Sequence, residues 1–228
     1  DLPSREALRN ARRVCVKAGT GVVANEDGSA SLTRVGSLAE QIAELCQAGV
    51  EVILVSSGSV GMGKRLLRRQ ANVNLTFKEL QEGGTREGNE EMHRTASFTS
   101  LLDIKQRPHT FRQKKQVYDS ACAAAGQFEM MSLYNALFSQ CDLVASQILV
   151  TQADFSDEKR IQNLKYAIER LLSLGIVPII NENDAVSANV RATREFAHIP
   201  DIFGTGWVHA RRYLFRQRFF GSLVCSEL

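Results

Sequence analysis

Short apolar runs alternate along this chain with longer segments whose apolar positions recur at helical spacing. Continuous apolar runs of four to eight residues between helices are typical of interior strands of a parallel sheet. Regular alternation of strands and helices indicates β-α-β units, so we predict an α/β fold with a mostly parallel sheet. The predicted strands are 13–17, 51–55, 146–151 and 175–180, and the predicted helices are 37–48, 121–140 and 158–174.

Two stretches interrupt this alternation. Apolar periodicity fails between about residues 70 and 116, and the segment 82–89 is rich in glycine and charge. Because structureless segments of this size are uncommon inside compact domains, we expect 82–116 to be a flexible insertion. The last forty residues, 189–228, are basic and aromatic without a clear period. We therefore place the main unit at 1–188 and expect a divergent tail of uncertain structure after it.

Composition excludes several classes of protein. The chain has 228 residues, 44% of them hydrophobic, which argues against global disorder. Its net charge of +3 is too small to indicate nucleic-acid binding by itself. No apolar run approaches the roughly 20 residues that a membrane span requires. The five cysteines are an odd number without a CxxC pair, so we expect neither a disulfide scaffold nor a zinc ribbon. Such cysteine usage suits a reducing compartment, and we expect a cytoplasmic protein.

Polar residues that could carry chemistry follow three of the predicted strands. Ligands of open α/β sheets bind at the carboxyl ends of the strands. Lys17 ends the first strand before a Gly-Thr-Gly turn, where it could neutralise phosphate oxygens or simply be solvated. Residues 56–63 follow the second strand and open a helix, so their backbone N–H groups suit a carboxylate or a phosphate. The cluster 181–184 (NEND) follows the fourth strand and could bind an amino group or form an Asx turn.

Other motifs are weaker. Residues 58–65 match the glycines and lysine of the P-loop pattern, but Arg65 stands where a serine or threonine must hold Mg²⁺. The four histidines lack the spacing of a metal site, so we expect none. Gly126 and Gln127 lie inside a predicted helix, either at a close packing point or in the wall of the substrate site.

Five segments in this order resemble the amino-acid kinase family. Within it they are most similar to the glutamate 5-kinases, including the glutamate kinase domain of the bifunctional delta-1-pyrroline-5-carboxylate synthases. The resemblance implies a three-layer, open, mostly parallel α/β sheet of the carbamate-kinase-like type, with 1–188 as its substrate lobe. The segments are VCVKAGTGVV, EVILVSSGSVGMGKRLLR, ACAAAGQFEMMSLYNALFSQ, ASQILVTQADF and IVPIINENDAVS.

The resemblance also implies an activity and a set of site residues. The expected reaction is ATP-dependent phosphorylation of the L-glutamate γ-carboxylate to glutamyl 5-phosphate, the first step of proline biosynthesis, with Mg²⁺ accompanying ATP. The expected partners are these small molecules, without nucleic acid or membrane, and self-association is left open. By motif position, Lys17 would be catalytic and contact the transferring phosphoryl group beside Gly19 and Thr20, while Ser57, Gly58, Asn183 and Asp184 would bind glutamate.

The chain also departs from the family pattern. The family continues with a D-N-D segment, which does not occur after Ala188. We therefore expect the nucleotide-binding half to be truncated, with a catalytically inactive fragment that binds substrate or a partner subunit as the alternative function. Other family members act on aspartate, acetylglutamate, carbamate or uridylate, and the N-E-N-D-A-V match favours glutamate among these substrates.

Overall fold

The computed structural model describes residues 11–82, 108–187 and 207–209. Within these ranges five strands form one sheet in the order β3-β4-β2-β1-β5, and every neighbouring pair is parallel. The α/β class and the parallel sheet are therefore confirmed. The strands are β1 (Arg13–Ala18), β2 (Glu51–Ser56), β3 (Val144–Val150), β4 (Ile176–Glu182) and β5 (Trp207–His209).

Helices connect these strands and cover both faces of the sheet. Turn signals mark their ends: Gly49 and Gly175 follow two of the helices with φ values of +80° and +71°, a conformation that glycine adopts without steric cost. Asp157 caps the last helix by accepting hydrogen bonds from the backbone N–H groups of Lys159 and Arg160. The helices are α1 (Thr20–Val23), α2 (Leu32–Gln47), α3 (Ser59–Glu82), α4 (Pro108–Ser139), α5 (Gln152–Ser156) and α6 (Glu158–Ser173).

The region in which we expected lost order is partly helical. Helix α3 continues to Glu82, and α4 begins at Pro108 rather than near residue 121. The prediction of irregular structure is thus wrong over 70–82 and 108–116, where good helix formers such as Gln, Lys, Leu and Arg outweigh the missing apolar period. Proline is also well tolerated at the first position of a helix. Residues 83–107, the rest of the expected insertion, lie outside the described residues.

Successive side chains of each strand point to opposite faces of the sheet, so the core consists of two layers, one on each face. Val16 of β1 and Leu54 of β2 face one side with Ile42 of α2 and Phe138 of α4. The other side of the sheet presents Cys15, Ile53, Val55 and Ile180 to α6, which contributes Leu164, Ile168 and Leu172. The sheet is therefore the middle of three layers, as the resemblance implies, and its interior strands are buried on both faces.

Two glycines allow α3 and α4 to cross in backbone contact. A Cβ atom built on Gly126 would overlap the carbonyl oxygen of Ser59, and one built on Gly63 would overlap the carbonyl oxygen of Cys122. Neither position has space for any side chain. The crossing therefore depends on these two glycines, and it fixes where the first turn of α3 lies above the sheet.

Residues 207–209 add a strand that we did not predict. Cys15, Val16 and Lys17 of β1 pair in parallel with Trp207, Val208 and His209. A three-residue strand is too short to show periodicity, which explains why the pattern of 189–228 did not reveal it. The remainder of this tail, and the expected boundary near residue 188, fall outside the described residues, and the division of the chain into lobe and tail stays a prediction.

In the described part of the chain, no helix combines the length and hydrophobicity needed to cross a membrane. The cysteines at 15, 46, 122 and 141 are free thiols.

Candidate functional site

The carboxyl ends of β1, β2 and β4 meet at one cavity of about 300 Å³. The register of the sheet explains why these three strand ends lie together. Ala18 pairs with Ser56 and Val55 pairs with Ile180, so the three strands end side by side. Five of the residues expected to form the site line this cavity: Lys17, Thr20, Ser57, Gly58 and Asp184. The other lining residues are Ala18, Val55, Ser56, Val60, Gly61, Lys64, Asp119, Asn181 and Glu182.

The end of β1 contributes Lys17 and the turn that follows it. The carbonyl oxygen of Gly19 accepts hydrogen bonds from the N–H groups of Val22 and Val23 at 2.8 and 3.2 Å, which begins helix α1. The hydroxyls of Thr20 and Ser57 lie 3.4 Å apart and connect this turn to the end of β2. Gly19 itself is absent from the cavity wall, so its contribution is to place Thr20.

The end of β2 leads directly into the first turn of α3. Gly58 has a φ of +115°, a conformation that other L-residues rarely adopt, and its carbonyl oxygen accepts a hydrogen bond from Met62. The N–H groups of the first turn have no acceptor within the helix, and two residues of that turn, Val60 and Gly61, line the cavity. A helix start of this kind, with the positive end of its dipole, favours an anionic group.

The end of β4 places Asp184 across the cavity from β1. Its Oδ2 accepts a hydrogen bond of 3.4 Å from the hydroxyl of Ser59. Burial raises the pKa of Asp184 above its ordinary value, and the Ser59 hydrogen bond opposes this only in part. A half-buried carboxylate in this position is suited to bind a cationic group such as an ammonium.

Asn183 supports this turn through its backbone. Its N–H donates to the carbonyl of Val150 at 2.8 Å, and its own carbonyl accepts from Val186 and Ser187. Its side chain does not line the cavity, so the structure gives Asn183 a supporting position beside Asp184.

Two buried polar contacts lie below the cavity, between the sheet and α4. The hydroxyls of Ser56 and Tyr134 lie 2.9 Å apart, and burial raises the pKa of Tyr134 to about 12. Asn181 donates from its side-chain amide to that of Gln127, which holds Asn181 in the cavity wall. Of the two roles considered for 126–127, the structure shows the close packing point at Gly126, whereas Gln127 contacts the cavity wall only through Asn181.

The sequence did not single out the ion pair between Lys64 and Asp119. The Nζ of Lys64 lies 2.7 Å from Oδ1 of Asp119, whose side chain is only 8% exposed. Both residues line the cavity, Lys64 from α3 and Asp119 from α4. Only the crossing of these helices brings the two residues together, and no spacing in the sequence predicts that contact.

The partial match to a P-loop has no structural counterpart. A P-loop surrounds phosphates with an extended, glycine-rich loop, whereas residues 59–64 already belong to α3. The glycines at 61 and 63 serve the helix start and the helix crossing instead.

Within residues 11–82 and 108–187, no three His, Cys, Asp or Glu side chains cluster closely enough to hold a metal ion.

The sequence of this chain matches one protein family and several named proteins. The sequence profile described as "Amino acid kinase family" matches residues 12–195. Delta-1-pyrroline-5-carboxylate synthase 1 of Oryza sativa subsp. japonica is 40% identical over 185 residues, which are 81% of this chain and 22% of that protein. Glutamate 5-kinase of Clostridium perfringens is 32% identical over 80% of this chain and 53% of its own length. The chain thus spans about a fifth of the synthases and about half of this kinase.

Proposed function

The chain belongs to the amino acid kinase family, and we propose that it phosphorylates the γ-carboxylate of L-glutamate with ATP, the first step of proline biosynthesis. The observation that carries the proposal is the convergence of a cation, a helix start and a carboxylate on one cavity, each from a different strand end. Relatives whose names are glutamate 5-kinase and delta-1-pyrroline-5-carboxylate synthase support glutamate as the substrate. Free thiols suit the reducing cytoplasm, where we place the reaction.

In this proposal Lys17 is the catalytic residue. Phosphoryl transfer requires little covalent help from a protein, because positioning and neutralisation of the charge on the transferred group supply most of the catalysis. A lysine is a compact point charge that suits this task. Thr20, with Gly19 fixing its turn, would bind phosphate oxygens beside Lys17.

Asp184 and the start of α3 would hold glutamate. The carboxylate of Asp184 would receive the substrate ammonium, with Asn183 holding its turn against β3. Ser57, Gly58 and the first N–H groups of α3 would receive carboxylate oxygens. ATP would supply the phosphoryl group, and Mg²⁺ would neutralise its phosphates.

The test is glutamate-dependent release of ADP by the full chain with Mg-ATP, with hydroxylamine to trap the acyl phosphate. We expect turnover that depends on glutamate and disappears in Lys17→Ala. Lys159→Ala is the matched control, because Lys159 is exposed on α6 and does not line the cavity.

Calorimetric titration with glutamate separates this function from the alternative of a binding fragment. Glutamate binding without turnover by a folded chain would overturn the kinase proposal and favour the alternative. A folded chain that neither binds glutamate nor releases ADP would overturn both.

A further inference from the structure

The ion pair of Lys64 and Asp119 occupies a part of the cavity wall that the proposed reaction does not use. The cavity presents two cationic side chains, Lys17 and Lys64, and three acidic ones, Asp119, Glu182 and Asp184. L-Glutamate carries two carboxylates and one ammonium. With Lys17 assigned to the reacting end and Asp184 to the ammonium, the second carboxylate has the N–H groups at the start of α3 but no cationic side chain as a partner.

Lys64 lines the same cavity and belongs to the same helix as Ser59, which contacts Asp184. It follows Ser59, the residue bonded to Asp184, by five positions on the same helix, a rise of roughly 7.5 Å along its axis. It also follows Val60 by four positions, so both side chains lie on the cavity-facing side of α3. The α-carboxylate of an amino acid is joined to the carbon that bears its ammonium. A ligand whose ammonium contacts Asp184 therefore keeps this carboxylate in the same cavity that Lys64 lines.

Asp119 fixes the position of the Lys64 ammonium. A lysine ammonium has three N–H donors, and the contact of 2.7 Å with Asp119 uses one of them. The Asp119 side chain is nearly buried, that of Lys64 is 35% exposed, and both residues line the cavity, so two donors of the ammonium are left for a ligand there. The helix crossing at Gly63 and Gly126 holds the two partners in place.

We propose that Lys64, oriented by Asp119, binds the α-carboxylate of the substrate and makes the cavity selective for amino acids over analogues without that charge. The inference rests on the proposed function, since it assumes glutamate in this cavity. Lys64 would be a specificity-determining residue and Asp119 a positioning residue.

The experiment is a cycle of two ligands and two proteins, measured by calorimetric titration of the full chain. The ligands are L-glutamate and L-isoglutamine, in which an amide replaces the α-carboxylate with little change of shape. The proteins are the wild type and Lys64→Met, which keeps the length of the side chain and removes its charge. Lys159→Met makes the same chemical change at the exposed lysine of α6 and serves as the matched control for Lys64→Met. Circular dichroism verifies that each variant is folded.

We expect the wild type to bind glutamate more tightly than isoglutamine. Loss of a charge-assisted hydrogen bond should weaken glutamate binding by about 10- to 100-fold in Lys64→Met. Isoglutamine binding should change by less than about threefold, since an amide forms only a neutral contact with Lys64. Lys64→Arg should keep most of the preference for glutamate.

Lys64→Met leaves the Asp119 carboxylate buried without its cation and risks unfolding. The double variant Lys64→Met with Asp119→Asn removes both charges, and the same loss of preference is expected there. Equal weakening of both ligands, or unchanged affinity for both, would overturn the role of Lys64 while leaving glutamate binding intact. A wild-type chain that does not bind glutamate would instead overturn the proposed function and this inference with it.

Discussion

Replacement of Gly126 by alanine tests the idea that backbone contact between α3 and α4 positions the first turn of α3 at the cavity. The added Cβ would overlap the carbonyl oxygen of Ser59 and lie 2.5 Å from the nitrogen of Gly63. Both are backbone atoms, which cannot move aside as a flexible side chain would. The two helices must therefore separate.

The magnitude follows from two opposing effects. Overpacking a well-filled site costs about 1–3 kcal/mol, and rigid backbone neighbours place this site at the upper end. Alanine gains about 1 kcal/mol over glycine in a helix interior. We expect the free energy of unfolding to fall by about 2 kcal/mol in Gly126→Ala, which would lower the urea midpoint by about 1 M.

Gly36→Ala is the matched control. Gly36 lies inside α2, and nothing lies within 4 Å of a Cβ built on it. The same chemical change should therefore raise the free energy of unfolding by about 0.5–1 kcal/mol. Urea unfolding followed by circular dichroism measures both variants, and glutamate titration should show weaker binding in Gly126→Ala alone, because Ser59 opens α3. Opposite signs are the expected result; a Gly126→Ala chain as stable as the wild type would refute the reasoning.

Four further predictions, made for three variants, concern the cavity and the contacts below it. Lys17→Ala should lower kcat by more than about tenfold with little change in the KM for glutamate, because Lys17 acts on the transferring group; steady-state kinetics with the effects reversed would contradict this role. Asp184→Asn should raise the KM for glutamate by about 10- to 100-fold, because the ammonium loses its carboxylate partner. Burial raises the pKa of Asp184, so its ionised form lowers the stability of the folded chain once the pH rises through that pKa. Asp184→Asn should therefore unfold at a higher urea concentration than the wild type at pH 7, and this gain in stability should shrink as the pH falls below the pKa of Asp184. A gain in stability that grows in acid would contradict this reasoning. Tyr134→Phe should lower the free energy of unfolding by about 1–2 kcal/mol, because the buried Ser56 hydroxyl loses its partner at 2.9 Å; an unchanged urea midpoint would show that Ser56 finds another partner.

Local patterns were sufficient for four of the five described strands and for the ends of several helices. The runs at 13–17 and 51–55 became β1 and β2 nearly to the residue, because a strand buried on both faces must be apolar throughout. Glycines at 49 and 175 ended their helices where the sequence indicated, since φ near +75° is accessible mainly to glycine. The apolar period is missing from the sequence over 70–82 and 108–116, which explains why the end of α3 and the start of α4 were missed.

The residues of the cavity likewise fall into those that the sequence predicted and those that only the structure revealed. Five of its expected residues were found from the sequence because parallel strands place their carboxyl ends at one edge, so that residues after different strands must be neighbours. Contacts between helices follow no such rule. Lys64 and Asp119 are 55 positions apart, and only the close approach of Gly63 to α4 determines that they meet.

The sequence by itself therefore determined the class of fold, the family, and which polar residues follow β1, β2 and β4, because each of these features depends on short segments of the chain. Only the tertiary structure revealed how closely α3 approaches α4, the ion pair of Lys64 and Asp119 at that crossing, and the hydrogen bond from Asn181 to Gln127. Those features depend on how closely two helices approach, and that distance is set by the atoms between them.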